Sequence, residues 1–242
     1  MASSRNVRVL AGIVAAPIVL AALYTLYRFA QSAALARRSE PLQVAPPEPK
    51  KRLLIVGDST GVGTGASTPQ TSLAGLIAAE HPDLTIVNRS ADGATFERIA
   101  AQLEGGGRFD AVLILGGGND MIRLTGADAL RGALSRVLFL ARGRADTVVL
   151  MPAGNVGNAP FFLWPWSALM TRRSRVLHAV ARQAAAANGA TYVSLFKERA
   201  ADPFAQEPKR LHASDRLHPS DAGYALWHRE LAAQSDLAGV LR

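Results

Sequence analysis

The chain has 242 residues, enough for one packed domain and an appendage, and its 49% apolar and 19% charged residues exclude a disordered polymer. It contains no cysteine, which excludes disulfides, thiolate zinc sites and a thiol nucleophile. Residues 1–52 carry +6 of the net charge of +8, so the remainder has no basic stripe and nucleic acid is not an expected partner.

Residues 9–27 hold no formal charge and lie between Arg8 and Arg28. At 1.5 Å per residue such a run spans a bilayer core of about 30 Å, which predicts one N-terminal transmembrane helix. The run exceeds the usual hydrophobic length of a cleaved secretory signal, about 7 to 15 residues, so residues 1–38 read as a retained anchor, with a cleaved signal segment as the other reading. Basic residues on the two sides nearly balance. The short N-terminal segment is the easier one to retain in the cytoplasm, so the expected location of the domain is extracytoplasmic (periplasmic). Residues 39–52 (SEPLQVAPPEPKKR) are Pro-rich and charged, the composition of an extended, solvated linker.

From residue 53 to 242, short apolar runs alternate with longer segments of helical spacing. Strands are predicted at 53–56, 84–87, 111–115, 147–151 and 192–195. Phe96, Ile99 and Leu103 mark one helix, and Leu130, Leu134, Val137 and Leu138 another. Tyr224, Trp227 and Leu231 mark a closing helix capped by Ser220. This alternation predicts an α/β domain in three layers, α/β/α, around a five-stranded parallel, doubly wound, flavodoxin-like sheet.

With strand order 2-1-3-4-5, ligands bind beyond the carboxyl ends of the strands where the order reverses. The loops there read Gly57-Asp58-Ser59-Thr60, Asn88 to Gly93, and Gly116-Gly117-Gly118-Asn119-Asp120. A serine hydroxyl needs a base within hydrogen-bond reach and a third group to orient that base. Asp215-Arg216-Leu217-His218 is the one Asp-x-x-His in the chain and offers both. Ser59 is also a candidate helix N-cap, and His218 a candidate structural histidine beside a carboxylate.

These blocks, in this order, resemble those of the SGNH or GDSL hydrolases. Gly57-Asp58-Ser59 is similar to the nucleophile block, and the segment ending at Gly93 to the block with the oxyanion glycine. Gly117-Gly118-Asn119-Asp120 is similar to the block with the oxyanion asparagine, and Asp215 to His218 to the acid and base block. The resemblance covers residues 53 to about 235. It implies hydrolysis of a carboxylic ester, acyl or acetyl, with Ser59, Asp215 and His218 catalytic and with Ser59, Gly93 and Asn119 forming the oxyanion hole. It implies no metal and no organic cofactor. Thr60 stands where the family name has leucine, a position outside the proton transfer.

Other signals are weaker. Gly57 to Gly61 also fits Gly-x-Ser-x-Gly, but that elbow requires strands and an oxyanion loop upstream, which residues 39–52 cannot supply. Gly61-Val-Gly63-Thr-Gly65 lacks phosphate-loop spacing and reads as a tight turn beside substrate. His81, His178, His212 and His228 share no metal-ligand spacing. In residues 152–170, Phe161, Phe162 and Trp164 are candidate substrate contacts, with local packing or a membrane contact as the other readings. The expected partner is a small-molecule, lipid or glycan ester. Transfer or removal of acyl groups on an envelope glycan or lipid, and a silent binding module, are the competing functions.

Overall fold

The computed structural model describes residues 2–242, with side chains from Val19 onward. In chain order the elements are α1 (Ala2–Ala36), β1 (Lys51–Gly57), α2 (Ser59–Val62), α3 (Leu73–Glu80), β2 (Leu84–Asn88), α4 (Phe96–Gln102) and β3 (Ala111–Gly116). They continue with α5 (Gly118–Ile122), α6 (Ala127–Arg142), β4 (Thr147–Pro152), α7 (Trp166–Ala187) and β5 (Thr191–Tyr192). The chain closes with α8 (Pro203–Gln206), α9 (Pro208–Leu211), α10 (Asp221–Gln234) and α11 (Leu237–Val240).

The five strands form one parallel sheet in the order β2-β1-β3-β4-β5. Side chains alternate between faces along a strand. Leu54, Val56, Val112, Ile114, Val148 and Leu150 therefore join one core with α4, α6 and α7. Their neighbours Leu53, Ile55, Leu113, Leu115, Val149 and Met151 join the other, with α3 and α10. Both faces being apolar, the sheet is covered on both sides, which is the three-layer arrangement the alternation predicts. The closing helix begins where expected: Ser220 Oγ accepts from Gly223 N at 3.3 Å.

β5 is shorter than the predicted 192–195. Val193 N still donates to Leu150 O, but the next residue leaves the ladder. Ser194 N donates to Gln234 Oε1 at 2.9 Å, and Gln234 Nε2 donates to Ser194 O at 3.2 Å. A side-chain amide from α10 thus replaces the neighbouring strand.

One part of the linker, residues 42–44, docks on the domain, while residues 47–50 are exposed as the composition predicts. Val44 and Ile86 exchange backbone hydrogen bonds across an antiparallel bridge on the open edge of β2. Gln43 accepts from Asn88 N and donates to Asn88 O, at 3.0 and 2.6 Å. Leu42 and Val44 pack on the core. An edge strand presents unpaired backbone groups, and these residues satisfy four of them, the N–H and C=O of Ile86 and of Asn88, with the linker in an extended conformation that its prolines also favour.

The predicted membrane segment, residues 9–27, has the side chains of residues 9–18 outside the described set. Among the described residues no helix is long and apolar enough to cross a membrane. The second half of α1 instead touches the domain. Tyr24 Oη donates to Pro160 O at 2.7 Å, Arg28 donates to Ser214 O at 3.2 Å, and Phe29 meets Phe161 edge-on at 5.0 Å.

Candidate active site

The sheet order carries β1 and β3 to the reversal point, and a cavity of about 500 Å³ lies beyond their carboxyl ends. Asp58, Ser59, Gly93, Asn119 and His218 all line it. Residues from four separate loops therefore meet in one crevice.

Ser59 is the first residue of α2, and the N-cap is Asp58, whose Oδ1 accepts from Thr60 N at 2.9 Å and from Thr60 Oγ1 at 2.7 Å. Capping falls to Asp58, which leaves the Ser59 hydroxyl free for another partner. That partner is His218 Nε2, at 2.9 Å. Thr60, the departure from the family name, holds the buried Asp58 carboxylate in place.

His218 Nδ1 lies 2.5 Å from Asp215 Oδ2. An ionised carboxylate only accepts, so Nδ1 carries the ring proton and Nε2 is left to accept from the serine. Asp215 is fully buried, and its other oxygen accepts from Leu217 N and His218 N at 3.0 and 3.1 Å. Burial pushes this carboxyl up, but the bond and charge of His218 together with the two amides outweigh it, leaving the net shift below the ordinary value. The turn is tight enough to put Arg216 in the left-handed region at φ 64°, a conformation that costs a non-glycine residue about 1 kcal/mol or more.

Gly65 explains part of the glycine-rich run after the nucleophile. Its φ is +100°, and a Cβ there would lie 2.4 Å from Pro219 O and 2.9 Å from His218 Cβ. The run turns tightly, as the sequence predicts, and at Gly65 it packs against Pro219 O and His218 Cβ; its glycines do not line the cavity. Asn88 Nδ2, donating to Gly61 O at 2.8 Å, ties the same loop to the end of β2.

The oxyanion candidates sit on neighbouring loops. Gly93 has φ +73°, which glycine adopts without strain, and it lines the cavity. Among the described residues neither Gly93 N nor Ser59 N has an acceptor. Asn119 Nδ2 donates to Ala94 O at 3.2 Å, which orients its amide beside Gly93. Arg173 of α7 donates to Met121 O and Thr125 O and so holds the turn that follows Asn119. Asn119→Ala is expected to lower kcat by about 10² to 10³ with little change in KM, as for loss of one oxyanion donor. Steady-state kinetics on a chromogenic acetate ester checks it, and an effect confined to KM would remove Asn119 from the hole.

Phe161, Phe162 and Trp164 do not line this cavity, which corrects the sequence expectation. Phe161 is buried under α1, where it packs on Phe29 and Phe162 and donates its N–H to Arg216 O. Phe162 and Trp164 line a separate surface hollow with Arg175 and Glu198, and Trp164 is 82% exposed. The apolar wall comes instead from Val156, Leu195, Phe204 and Trp227, and from Phe29 on α1. Trp227 stands out in sequence only as a helix-packing residue, because the spacing that marks a core face is the same for a cavity face. His212 also lines the cavity, where burial lowers its pKa to about 4 and keeps it neutral at pH 7. His178 is packed away in the core, bonding Ala153 O at 2.8 Å, and burial likewise lowers it to about 4.

Burial raises Asp58 to about 6, against the opposing bonds from Thr60. The folded chain thus binds this proton more tightly than the unfolded chain. That contribution is complete below about pH 4 and is lost as the pH rises through about 6, by about 3 kcal/mol. Asp58→Asn keeps the acceptor for Thr60 and removes the titration. The variant is expected to gain stability relative to the parent between pH 4 and 7, read by urea unfolding at each pH. Parallel profiles would show that Asp58 does not titrate in this range.

Among the described residues no group of three or more His, Cys, Asp or Glu side chains is placed to hold a metal ion. A family model described as GDSL-like lipase/acylhydrolase matches residues 55–226. The chain belongs to this family. It is accordingly an ester-hydrolysing enzyme.

Solved structures agree on the fold. An α/β hydrolase enzyme from the metagenome of Lake Arreo, Spain, aligns at 20% identity and a TM-score of 0.58, over 80% of this chain and 97% of that one. A variant of an acetyl xylan esterase from Geobacillus stearothermophilus aligns at 22% identity and 0.55, over 77% and 94%. A member of the lipolytic protein G-D-S-L family from Veillonella parvula aligns at 14% identity and 0.57, over 75% and 96%. No curated protein matches the chain. Identities this low establish the fold of the GDSL domain and leave its substrate to the site itself.

Proposed function

We propose that this GDSL enzyme is a serine esterase working through an acyl-enzyme, with Ser59 as nucleophile, His218 as general base and then acid, and Asp215 as the group orienting His218. The observation that carries this reading is the unbroken chain from Asp215 Oδ2 to His218 Nδ1 and from His218 Nε2 to Ser59 Oγ, at 2.5 and 2.9 Å. Ser59 Oγ attacks the ester carbonyl as its proton passes to His218 Nε2. The oxyanion is held by the N–H groups of Ser59 and Gly93 and by the Asn119 amide. Collapse breaks the ester C–O bond, and the departing alcohol takes the proton from His218. Water, deprotonated by the same nitrogen, then releases the acid and restores Ser59.

The test is labelling of the full chain with a fluorophosphonate, together with turnover of p-nitrophenyl acetate. Peptide mass spectrometry is expected to place one adduct on Ser59, with hydrolysis lost in parallel. An adduct on another residue, or hydrolysis that survives full labelling, would sink the assignment.

We also propose that residues 9–27 tether the enzyme to a membrane, with the domain on the extracytoplasmic side. The uncharged run between Arg8 and Arg28 supports this, as do the exposed Leu163, Trp164 and Trp166 in the segment that follows the α1 contact at Pro160. Retention in the membrane pellet after alkaline carbonate extraction is the expected result, and release into the supernatant would overturn it.

A further inference from the structure

The family match begins at residue 55, so α1 and the segment after it lie outside the shared domain. Yet Phe29, Ser32, Ala33 and Ala36 line the same cavity as Ser59 and His218. Their spacing, i, i+3, i+4 and i+7, puts them on one stripe of α1. A whole helix face is thus turned toward the nucleophile.

The helix is fixed at both ends of this span. On one side, Tyr24 and Arg28 bond Pro160 O and Ser214 O, and Phe29 packs on Phe161. On the other, Gln43 clamps Asn88, and Val44 bridges Ile86. Ser214 adjoins the Asp215 to His218 turn, whereas Asn88 begins the loop that carries Gly93. Residues 28–44 therefore form a strap from the base side of the cleft to the oxyanion side.

We infer that this strap is a working wall of the substrate cavity, and that the cavity takes an ester bearing an aliphatic chain which lies along the α1 stripe. The inference rests on the esterase reading. A volume of about 500 Å³ lies within the range of about 300 to 1,000 Å³ that holds ligands far larger than an acetyl group. The surface it offers is mainly apolar, with Phe29, Ala33, Ile122, Val156 and Leu217 facing a space that begins at Ser59. Small side chains at 33 and 36 leave a slot, and burial of a chain there gains about 0.8 kcal/mol per methylene. Each added pair of methylenes in contact with the wall should therefore raise kcat/KM by about tenfold until the slot is full.

The chain can belong to either side of the ester, and two substrate series separate these sources. One compares p-nitrophenyl octanoate with p-nitrophenyl acetate, and the other octyl acetate with ethyl acetate, all with the full chain in detergent solution. The parent is expected to prefer the long member of one series by at least tenfold in kcat/KM. Ala33→Trp and Ala36→Leu, which fill the slot, should reduce that preference at least tenfold. Leu26→Trp, on an exposed face of α1, should leave it unchanged. A general loss of folding lowers both members of a series together and does not move their ratio. Ratios unchanged by both slot-filling variants in both series, or a parent without chain preference in either, would overturn the inference while leaving the esterase reading intact. A parent that hydrolyses none of the four esters would sink that reading and this inference with it.

Discussion

Ser59→Ala is expected to lower kcat for ester hydrolysis by about 10⁶-fold and to abolish fluorophosphonate labelling, with the fold intact. The magnitude follows from the geometry around one oxygen. Ser59 Oγ is the group within 2.9 Å of His218 Nε2, and the Ser59 N–H and Gly93 N–H beside it are without acceptors among the described residues. Removing Oγ leaves these donors in place, so residual catalysis by the oxyanion hole, about 10³ to 10⁴ over water, should remain. The stability cost is small, because the lost hydrogen bond contributes about 1 kcal/mol and Asp58, not Ser59, caps α2. Burst-phase and steady-state kinetics on p-nitrophenyl acetate, with thermal unfolding alongside, make the measurement. A loss below tenfold in a folded variant would show that another group attacks the ester.

How much of this was legible in the sequence depends on how local each signal is. The two faces of the sheet are written into the strands, since Leu53 and Ile55 go to one core and Leu54 and Val56 to the other by alternation alone. The Asp215 to His218 turn is equally local: a carboxylate three residues before a histidine can reach both its ring and its backbone N–H. Ser59, Gly93 and Asn119 become one site only through strand order, and the order 2-1-3-4-5 follows from βαβ alternation once the fold is recognised.

The cavity wall was not legible for the opposite reason. Phe161 and Trp164 lie three residues apart, yet one is buried under α1 and the other is 82% exposed. No periodicity in that loop distinguishes them. Residues 39–52 have the composition of a free linker, and only the open edge of β2, an element some forty residues away, gives Val44 its partner. The role of α1 was hidden in the same way. Nothing in the spacing of Ala33 and Ala36 marks them as a cavity wall until the cleft they line is known.

Asp215→Asn should lower kcat by about 10⁴-fold, although it removes no atom from contact with substrate. The reason lies in the two oxygens. Oδ1 accepts from Leu217 N and His218 N, so an asparagine at this buried position must keep its carbonyl there to satisfy both amides. Its NH₂ then faces His218 Nδ1, a donor against a nitrogen that normally donates. The ring escapes this clash by moving its proton to Nε2, which now points a hydrogen at Ser59 Oγ and cannot receive one. The fold should survive, and the nucleophile should remain in place but inactive. The expected pattern is a slow fluorophosphonate reaction at Ser59, a kcat reduced about 10⁴-fold at pH 7 to 8, and an unfolding temperature within a few degrees of the parent. The parent's own Asp215 is held below its ordinary pKa, so the folded chain binds this proton less tightly than the unfolded chain. The stability it contributes is present above about pH 4 and is lost as the pH falls through the folded value. The gap in stability between parent and variant should therefore close in acid while the gap in activity at neutral pH persists. A variant that retains more than a tenth of the parent's kcat at pH 7 would mean that His218 keeps its tautomer without Asp215, and the triad reading would fail at that residue.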